Sequence, residues 1–313
     1  MTPVTALATK PDSTPPATVA APHACVACGS TEWHTMFHKQ GYDFAECDSC
    51  GLAWLSPLPT VEQLDAHYSA RAAAGNYDPS RSPERIASDT DILNFMNKHI
   101  GPRPSGRAPR IFDIGCLFGQ FLDLAAEHGW ETWGVELQQS AAESTEKRHP
   151  KRIFNNTVEG FDPAAHNLVG YFDVVVASGL IEHVRDPKAF FTLANTLLRP
   201  AGTLIIQTPN HGSVLRMAMG RFWPCYAAPE HTFYFSPKSL GWMASQYKFG
   251  APAVQAHWKK LRVGYVLTML QFFGSEIGKL VKPLRDHLPN WLQSIRLPFY
   301  GGEMLMKLTK KAD

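Results

Sequence analysis

From Arg110 onward the sequence alternates between short apolar runs and amphipathic runs, and this alternation constrains the fold more than any other feature. RIFDI, ETWGVEL, FDVVVAS and GTLIIQTP are predicted strands, and a predicted helix follows each of the first three. FDVVVAS is apolar almost throughout, which is typical of a strand buried on both faces. The pattern predicts an α/β fold with a doubly wound, mainly parallel sheet and right-handed crossovers.

The turn after the first predicted strand, DIGCLFGQF, has the position of a nucleotide-binding loop. A dinucleotide fold needs G-x-G-x-x-G, and Leu117 stands where its middle glycine would be. Asp113, two residues before Gly115, would repel a pyrophosphate but suits a ligand with an ammonium group. Glu136 ends the next strand, where a carboxylate can accept both hydroxyls of a ribose. An adenosine that carries a charged amino acid and no phosphate is S-adenosylmethionine.

Four of the six cysteines form two C-x2-C pairs separated by eighteen residues: Cys25, Cys28, Cys47 and Cys50. This spacing is typical of a four-thiolate zinc site. Two disulfides are one alternative, but they need an oxidising compartment that nothing in the sequence indicates. A redox C-x-x-C is the other, but a redox motif would not occur as two copies that are each followed by glycine. We therefore predict a closed, structural zinc site.

From about Arg110 to Asn210 the chain resembles the class I S-adenosylmethionine-dependent methyltransferases, which have a Rossmann-like sheet. The resemblance rests on DIGCLFGQFL, WGVELQQSAA, FDVVVASGLIEHVRDPKAFF, LLRPAGTLIIQTPN and PEHTFYFSPKSL, which occur in the family's order. The cysteine pairs and the following SPLPTVEQLDAHYS resemble the zinc-bearing branch of the family. That branch includes nucleotide-deoxysugar C-methyltransferases and enzymes of polysaccharide and natural-product clusters.

The resemblance implies a set of residues around the cofactor. Asp113 would bind the ammonium group, Glu136 would hold the ribose, and the glycines of the loop would let the backbone approach the methionine part. Ser178 would form the wall beside the sulfonium. The expected cofactor-binding residues are Asp113, Gly115, Cys116, Gly119, Glu136, Leu137, Val158, Glu159 and Ser178.

Two Glu-His pairs are candidates for acid–base chemistry. The resemblance implies that Glu182-His183, in LIEHV, mainly shapes the pocket, with His183 as a secondary catalytic candidate. It implies that Glu230-His231, in APEHTFYFS, supplies the proton-abstracting base, with His231 as the base and Glu230 as its partner. The family's sugar C-methyltransferases have a tyrosine shortly before this second pair, whereas this chain has Ala228. The surrounding RFWPCYAAPEHTFYF predicts an acceptor pocket with large apolar walls or, alternatively, a lid that packs on its own sheet.

Tyr68 is a further catalytic candidate. It lies in the segment that follows the cysteine pairs and could complete the acceptor pocket. An aromatic residue that packs the zinc region onto the core is an equally good interpretation of this position.

Methyl transfer from a sulfonium is a displacement that needs alignment of the acceptor and, for some acceptors, removal of a proton. The favoured acceptor is a small molecule, a sugar or natural-product intermediate methylated at carbon or oxygen. One alternative is an RNA methyltransferase whose zinc ribbon binds substrate. The net charge of +2, from 30 basic and 28 acidic residues, argues against nucleic acid. The other alternative is a non-catalytic zinc-ribbon module.

The predicted organisation has four parts. Residues 1–22 form a disordered tail, 23–57 the zinc ribbon, and 58–105 a helical linker or lid. Residues 106–313 form the S-adenosylmethionine-binding domain, in which 259–300 is a helical insertion before the last strand.

Finer predictions concern the linker. Thr60 and Gln63 form a capping box for a short helix through Tyr68, and 69–85 is a loop. A second helix then begins at a cap residue, either Ser88 or Asp89.

The sequence also suggests where the protein works. Its N-terminus lacks the basic and apolar regions of a secretory signal, and the most apolar run, VGYVLTMLQFFG, is too short to span a bilayer. We therefore expect a cytoplasmic protein. The 259–300 segment carries basic and apolar residues that suit peripheral membrane contact. The sequence leaves the oligomeric state open.

Overall fold

The computed structural model describes residues 24–73, 83–101, 105–270 and 275–312, and these form two β-sheets. The predicted tail, 1–22, lies outside the described residues. The larger sheet has seven strands: β4 (Arg110–Ile114), β5 (Glu131–Glu136), β6 (Ile153–Asn155), β7 (Phe172–Ser178), β8 (Leu198–Pro209), β10 (Ala253–Arg262) and β11 (Arg296–Thr309). The smaller sheet has four: β1 (Trp33–Lys39), β2 (Tyr42–Cys47), β3 (Ala53–Ser56) and β9 (Phe233–Tyr234).

The larger sheet is doubly wound, as predicted. Its strand order is β10-β11-β8-β7-β4-β5-β6. The strands from β8 to β6 are parallel, and β11 and β10 extend the sheet with antiparallel pairing. The winding reverses at β4, because β5 and β7 lie on its two sides. The carboxyl ends of these three strands therefore meet at one edge, where ligands bind in such sheets.

Ten helices are described in this part of the chain: α1 (Val61–Ala73), α2 (Pro83–His99), α3 (Gln120–Glu127), α4 (Gln139–Glu146), α5 (Pro187–Leu197), α6 (Val214–Met219), α7 (Pro237–Ser245), α8 (Val263–Leu270), α9 (Ser275–His287) and α10 (Asn290–Ser294). Buried residues of α3 and α5 pack on the sheet, whose strand β7 is buried along nearly its whole length. α5 ends at Leu197, and the chain is already in β8 from Leu198.

The linker between the cysteine region and the sheet is more helical than predicted. Thr60 and Gln63 form the predicted capping box, with each side chain bonded to the other's backbone amide. The predicted loop over 69–85 was wrong at both ends, because α1 runs to Ala73 and α2 begins at Pro83, and residues 74–82 lie outside the described residues. The predicted caps at Ser88 and Asp89 were also wrong. Asp89 is buried inside α2 and makes an ion pair with Arg85 one turn earlier.

The smaller sheet joins the cysteine region to a distant part of the chain. Its last strand, β9, follows the Glu230-His231 pair and pairs with β3, so that Ala53 faces Tyr234 and Trp54 faces Phe233. The position of the second Glu-His pair therefore depends on the fold of the N-terminal region.

The segment predicted as a helical insertion leaves the sheet from β10 and returns as β11. Arg262 and Arg296 are paired at the point of departure, and α8, α9 and α10 lie between them. Residues on either side of these helices, within 259–300, belong to the two strands. Among the described residues, no helix combines the length and hydrophobicity needed to cross a membrane.

Candidate active site

The loop between β4 and α3 keeps the shape of a glycine turn although its middle residue is leucine. Gly115 and Gly119 have positive φ angles of 78° and 68°, and Leu117 has a φ of 46°. Leu117 therefore occupies the left-handed region that a glycine would adopt more easily. Its amide donates a hydrogen bond of 2.8 Å to Glu136 Oε2, which ties the loop to the end of β5.

Asp113 is a buried carboxyl group at the carboxyl half of β4. Its Oδ1 has no hydrogen-bond partner among the described residues. Burial raises its pKa well above the usual value, with Arg85 opposing the shift. An unpaired buried carboxyl group is costly, and a ligand ammonium group would relieve this cost. The residue therefore fits the role expected for the amino-acid end of S-adenosylmethionine.

Glu136 is buried at the end of β5, and both of its carboxylate oxygens accept backbone amides. Oε2 accepts the amide of Leu117, and Oε1 accepts that of Gln138 at 2.7 Å. Burial raises the pKa of Glu136, and these two hydrogen bonds oppose the shift. Each carboxylate oxygen retains a second lone pair, so the group can still accept the two hydroxyls of a ribose.

The other expected cofactor residues lie on the same edge of the sheet or beside it. Leu137 is exposed directly after β5, while Val158 and Glu159 lie in the turn after β6, Val158 half-buried and Glu159 exposed. Cys116 is buried with its sulfur close to Gly134 of β5, so only its backbone can serve a ligand. Ser178 ends β7, and its hydroxyl donates a hydrogen bond to Gln207 Oε1 at 3.1 Å.

Beyond Ser178, the two Glu-His segments converge into one cluster. One potential ligand atom from each of Glu182, His183 and His231 lies within 4.8 Å of the others. The two imidazole rings are nearly perpendicular, with centroids 4.7 Å apart. The carbonyl oxygen of Glu182 accepts the amides of Thr232 and Phe233, which joins the turn after β7 to the loop before β9. Sequence alone presented the two segments as separate candidates.

Backbone carbonyls orient both histidine rings. His231 Nδ1 lies 2.7 Å from the carbonyl oxygen of Cys225, and His183 Nδ1 lies 2.9 Å from that of Glu230. A carbonyl can only accept, so Nδ1 carries the proton in each ring. In the neutral rings Nε2 is therefore the nitrogen with the lone pair, which is the form that a base or a metal ligand needs.

Glu182 is the buried member of the cluster. Its carboxylate accepts a hydrogen bond of 2.9 Å from the hydroxyl of Thr208, on β8. Burial raises the pKa of Glu182 to about 7. The residue can therefore exchange a proton near neutral pH, which is typical of groups in active sites.

Helix α1 covers the cluster from the side of the cysteine region. The Tyr68 hydroxyl lies 3.2 Å from His183 Nδ1, and His67 Nε2 lies 3.3 Å from Glu230 Oε2. Tyr68 is thus a neighbour of the histidines as well as a packing residue. His67 was not singled out from the sequence, because a histidine in an amphipathic helix carries no motif.

A buried polar chain that sequence reasoning missed runs from Ser178 to the far edge of the sheet. Gln207 accepts from Ser178 and donates to Glu303 Oε2, and Lys259 lies 2.6 Å from Glu303 Oε1. Burial would raise the pKa of Glu303, but Lys259 and His257 together more than offset this and lower it to about 2. Gln207 interrupts the apolar run of β8, a signal that could have identified it, whereas Glu303 has none.

The aromatic residues expected to wall the acceptor pocket serve another purpose. Trp223 and Tyr226 are buried in a cluster with Phe44 and Tyr234, between the smaller sheet and the loop before β9. Their rings therefore hold that loop in place instead of presenting an open apolar surface.

The four grouped cysteines lie together at the edge of the smaller sheet, with all four sulfurs within 4.8 Å of one another. The sulfurs of Cys25 and Cys50 are 3.6 Å apart, as are those of Cys28 and Cys47. These distances are far longer than a disulfide bond of about 2.05 Å. They are close to the separation of roughly 3.8 Å expected for two thiolates on one tetrahedral zinc ion, given Zn–S bonds of about 2.3 Å.

Comparison with known proteins assigns the chain to a family. A family model described as a methyltransferase domain matches residues 71–250, which is more than half of the chain. The chain therefore belongs to this methyltransferase family, and it is an S-adenosylmethionine-dependent methyltransferase, as the sequence predicted.

Individual relatives are more distant. The chain is 27% identical over 169 residues to a ubiquinone biosynthesis O-methyltransferase of Chromobacterium violaceum, covering 50% of this chain and 70% of that protein. A protein of the same name from a Bradyrhizobium species is 31% identical over 161 residues, covering 50% of this chain and 54% of the relative.

Two solved structures are also similar. A possible histamine N-methyltransferase of Thermotoga maritima has a TM-score of 0.47 and 18% identity, covering 80% of this chain and 98% of that one. The 1,6-didemethyltoxoflavin-N1-methyltransferase of Burkholderia thailandensis has a TM-score of 0.46 and 14% identity, covering 90% of this chain and 99% of that one.

Proposed function

We propose that the protein transfers the methyl group of S-adenosylmethionine to a small-molecule acceptor, a sugar or natural-product intermediate, at carbon or oxygen. The observation that carries this proposal is the convergence of Glu182, His183 and His231 beyond the end of β7, next to Ser178. Two relatives are named as O-methyltransferases of ubiquinone biosynthesis, which supports a small acceptor and favours oxygen.

The cofactor residues act by binding and orientation. Asp113 holds the ammonium group of the methionine part, and the backbone at Gly115, Cys116 and Gly119 lies against that part. Glu136 accepts the ribose hydroxyls, Leu137, Val158 and Glu159 surround the adenine, and Ser178 forms the wall beside the sulfonium. S-adenosylmethionine supplies an electrophilic methyl group, so the protein has only to align the acceptor and manage its proton.

Proton removal falls to the His cluster. His231 takes the acceptor proton on Nε2, while its Nδ1–H bond to Cys225 keeps the ring oriented. Glu182 and His183 stand beside the resulting imidazolium, and an ionised Glu182 stabilises its charge. Tyr68 and Glu230 connect the cluster to α1, which acts as a lid over the acceptor.

The four cysteines hold a structural zinc ion. A site closed by four thiolates leaves no position for a substrate, so its effect on catalysis is indirect. The zinc stabilises the smaller sheet. Because β3 pairs with β9 in that sheet, the zinc also helps to hold in place the loop before β9, which contains His231. Elemental analysis should find one zinc per chain, and Cys28→Ser should lower this content; an unchanged zinc content would contradict the assignment.

The methyl-transfer proposal is tested with S-adenosylmethionine labelled in its methyl group. The protein is incubated with separate small-molecule and RNA fractions of a cell extract, and Asp113→Ala serves as the variant with weakened cofactor binding. We expect label in the small-molecule fraction with the wild type and much less with the variant. Label confined to RNA would refute the proposed acceptor class, and failure of calorimetry to detect cofactor binding would refute the proposal as a whole.

A further inference from the structure

We propose that Glu182, His183 and His231 form a binding site for one divalent transition-metal cation, and that the bound cation blocks proton removal by His231. This site is separate from the four cysteines. The blocking effect rests on the proposed function, whereas the binding site stands on geometry alone.

The first argument is the composition of the cluster. Two imidazoles and one carboxylate offer ligand atoms that lie within 4.8 Å of one another, a separation from which small side-chain movements reach a common ion. Imidazole and carboxylate ligands together suit Zn²⁺, Co²⁺ and Ni²⁺, and two histidines with a glutamate also hold zinc in catalytic sites. Mg²⁺ and Ca²⁺ prefer oxygen ligands and fit this set poorly.

The second argument is the set of hydrogen bonds behind the ligands. Metal-binding histidines usually donate their other ring N–H to a carbonyl or carboxylate, and ligating carboxylates are themselves hydrogen-bonded. His183 donates to the carbonyl of Glu230 and His231 to that of Cys225. Glu182 accepts the hydroxyl of Thr208. All three potential ligands therefore have their outer partners already in place.

The third argument is electrostatic. Glu182 is buried, so its carboxyl group is removed from solvent. A buried carboxylate gains from a neighbouring positive charge. A dication in the cluster supplies that charge.

The consequence concerns the base. A nitrogen lone pair that coordinates a cation cannot accept a proton, so a cation on His231 Nε2 prevents the step assigned to this residue. Cation and acceptor proton thus compete for the same lone pair.

Co²⁺ is the appropriate probe, added to protein whose cysteine site has first been loaded with zinc. Cobalt bound by imidazole and carboxylate shows weak visible d–d bands, whereas cobalt bound by thiolates adds intense charge-transfer bands at shorter wavelength. We expect one equivalent of Co²⁺ with d–d bands alone. His183→Ala and His231→Gln should weaken this binding at least tenfold, and His38→Ala, an exposed histidine on β1, should leave it unchanged.

Calorimetry with S-adenosylmethionine checks that each variant is folded. The site is overturned if folded wild type shows no d–d bands, or if His231→Gln binds Co²⁺ as the wild type does. The rate of methyl transfer should decrease as the d–d absorbance increases during the Co²⁺ titration. It should recover when a chelator removes the Co²⁺. If the protein binds no Co²⁺ but turns over normally, the metal-site proposal is refuted and the proposed methyl-transfer function is not affected. Full turnover with the site filled would instead contradict both the blocking effect and the role of His231 as base.

Discussion

The cofactor side and the acceptor side of the active site are built in different ways. Asp113, Glu136 and Ser178 each end or nearly end a parallel strand, and those strands are neighbours in the sheet. The residues of the acceptor side come from five separate parts of the chain: α1, the turn after β7, β8, the loop before β9, and β11. The cofactor side is thus fixed by local turns on one edge, whereas the acceptor side exists only when distant segments have packed together.

This difference predicts how substitutions behave. A change on the cofactor side should act on binding of S-adenosylmethionine, because its residues touch that part of the crevice. A change on the acceptor side should act on turnover or on stability and leave cofactor binding intact. The five substitutions below test this separation.

Glu136→Ala should have the largest effect, a loss of affinity for S-adenosylmethionine of about 100-fold or more. The change removes the proposed ribose acceptor, which also accepts the Leu117 and Gln138 amides, and hydrogen bonds to a charged group contribute about 1.5–3 kcal/mol each. Calorimetry measures the affinity. Glu131→Ala, at the other end of β5, is the matched control and should bind normally; equal loss in both variants would mean that the strand itself is damaged.

Lys259→Met should destabilise the protein by about 3 kcal/mol at pH 7, because it removes the nearer cation of the buried Glu303 and leaves His257, at 3.4 Å, as its ion-pair partner. Breaking a buried ion pair usually costs about 3–5 kcal/mol. We expect the lower end of this range because the Lys259 side chain is 34% exposed, and solvent weakens its interaction with Glu303. Urea unfolding measures the change, and adding Glu303→Gln should recover much of it. Cofactor affinity should stay within a few-fold of the wild type, and a large loss would show that the two sides are not separate.

The same ion pair predicts a pH dependence. The pKa of Glu303 is lowered to about 2 in the folded protein, so its stabilising contribution is complete above about pH 4.5 and is lost as the pH falls through 2. The stability gap between wild type and Lys259→Met should therefore narrow as the pH is lowered from 5 toward 3. A gap that widened over this range would contradict the assignment.

Thr208→Val should lower kcat about tenfold with little change in the affinity for S-adenosylmethionine. The variant keeps the shape of the residue and removes the hydroxyl that donates to Glu182, a loss of about 1–2 kcal/mol. Steady-state kinetics provides the measurement. Thr203→Val, earlier on the same strand, is the control; a weaker cofactor affinity in Thr208→Val alone would place Glu182 on the cofactor side.

Tyr68→Phe should have the smallest effect, a two- to tenfold fall in kcat, because it removes one neutral hydrogen-bonding group near His183 and keeps the packing of the ring. The change should again spare cofactor affinity. A fall of more than 100-fold would instead make Tyr68 a direct participant in proton transfer.

The sequence predicted the fold on the proposed cofactor side because the determinants of that fold are local. The doubly wound sheet, the glycine turn and the position of Glu136 all follow from patterns within a few residues of one another. Leu117 departs from the family pattern, yet its φ of 46° preserves the turn. What the sequence could not give was the pairing of β3 with β9, since a two-residue strand has no periodicity to detect.

The acceptor side could be predicted only in part. His183 and His231 were recognised as candidates, but their common cluster depends on contacts between residues 47 or more positions apart. Glu303 and Lys259 lie on strands that follow a long helical excursion, and neither stands in a motif. The helix cap expected at either Ser88 or Asp89 was wrong for a simpler reason. Polar residues can start a helix or, as Asp89 does with Arg85, be paired inside one.

The separation of the two sides is tested most directly by measuring His231→Ala against the wild type, with calorimetry for S-adenosylmethionine and labelled methyl transfer on the same samples. The account predicts equal cofactor affinity and a fall in turnover of at least 100-fold, the range typical of a lost general base. Undiminished turnover would contradict the role of His231. A parallel loss of affinity and turnover would contradict the separation itself.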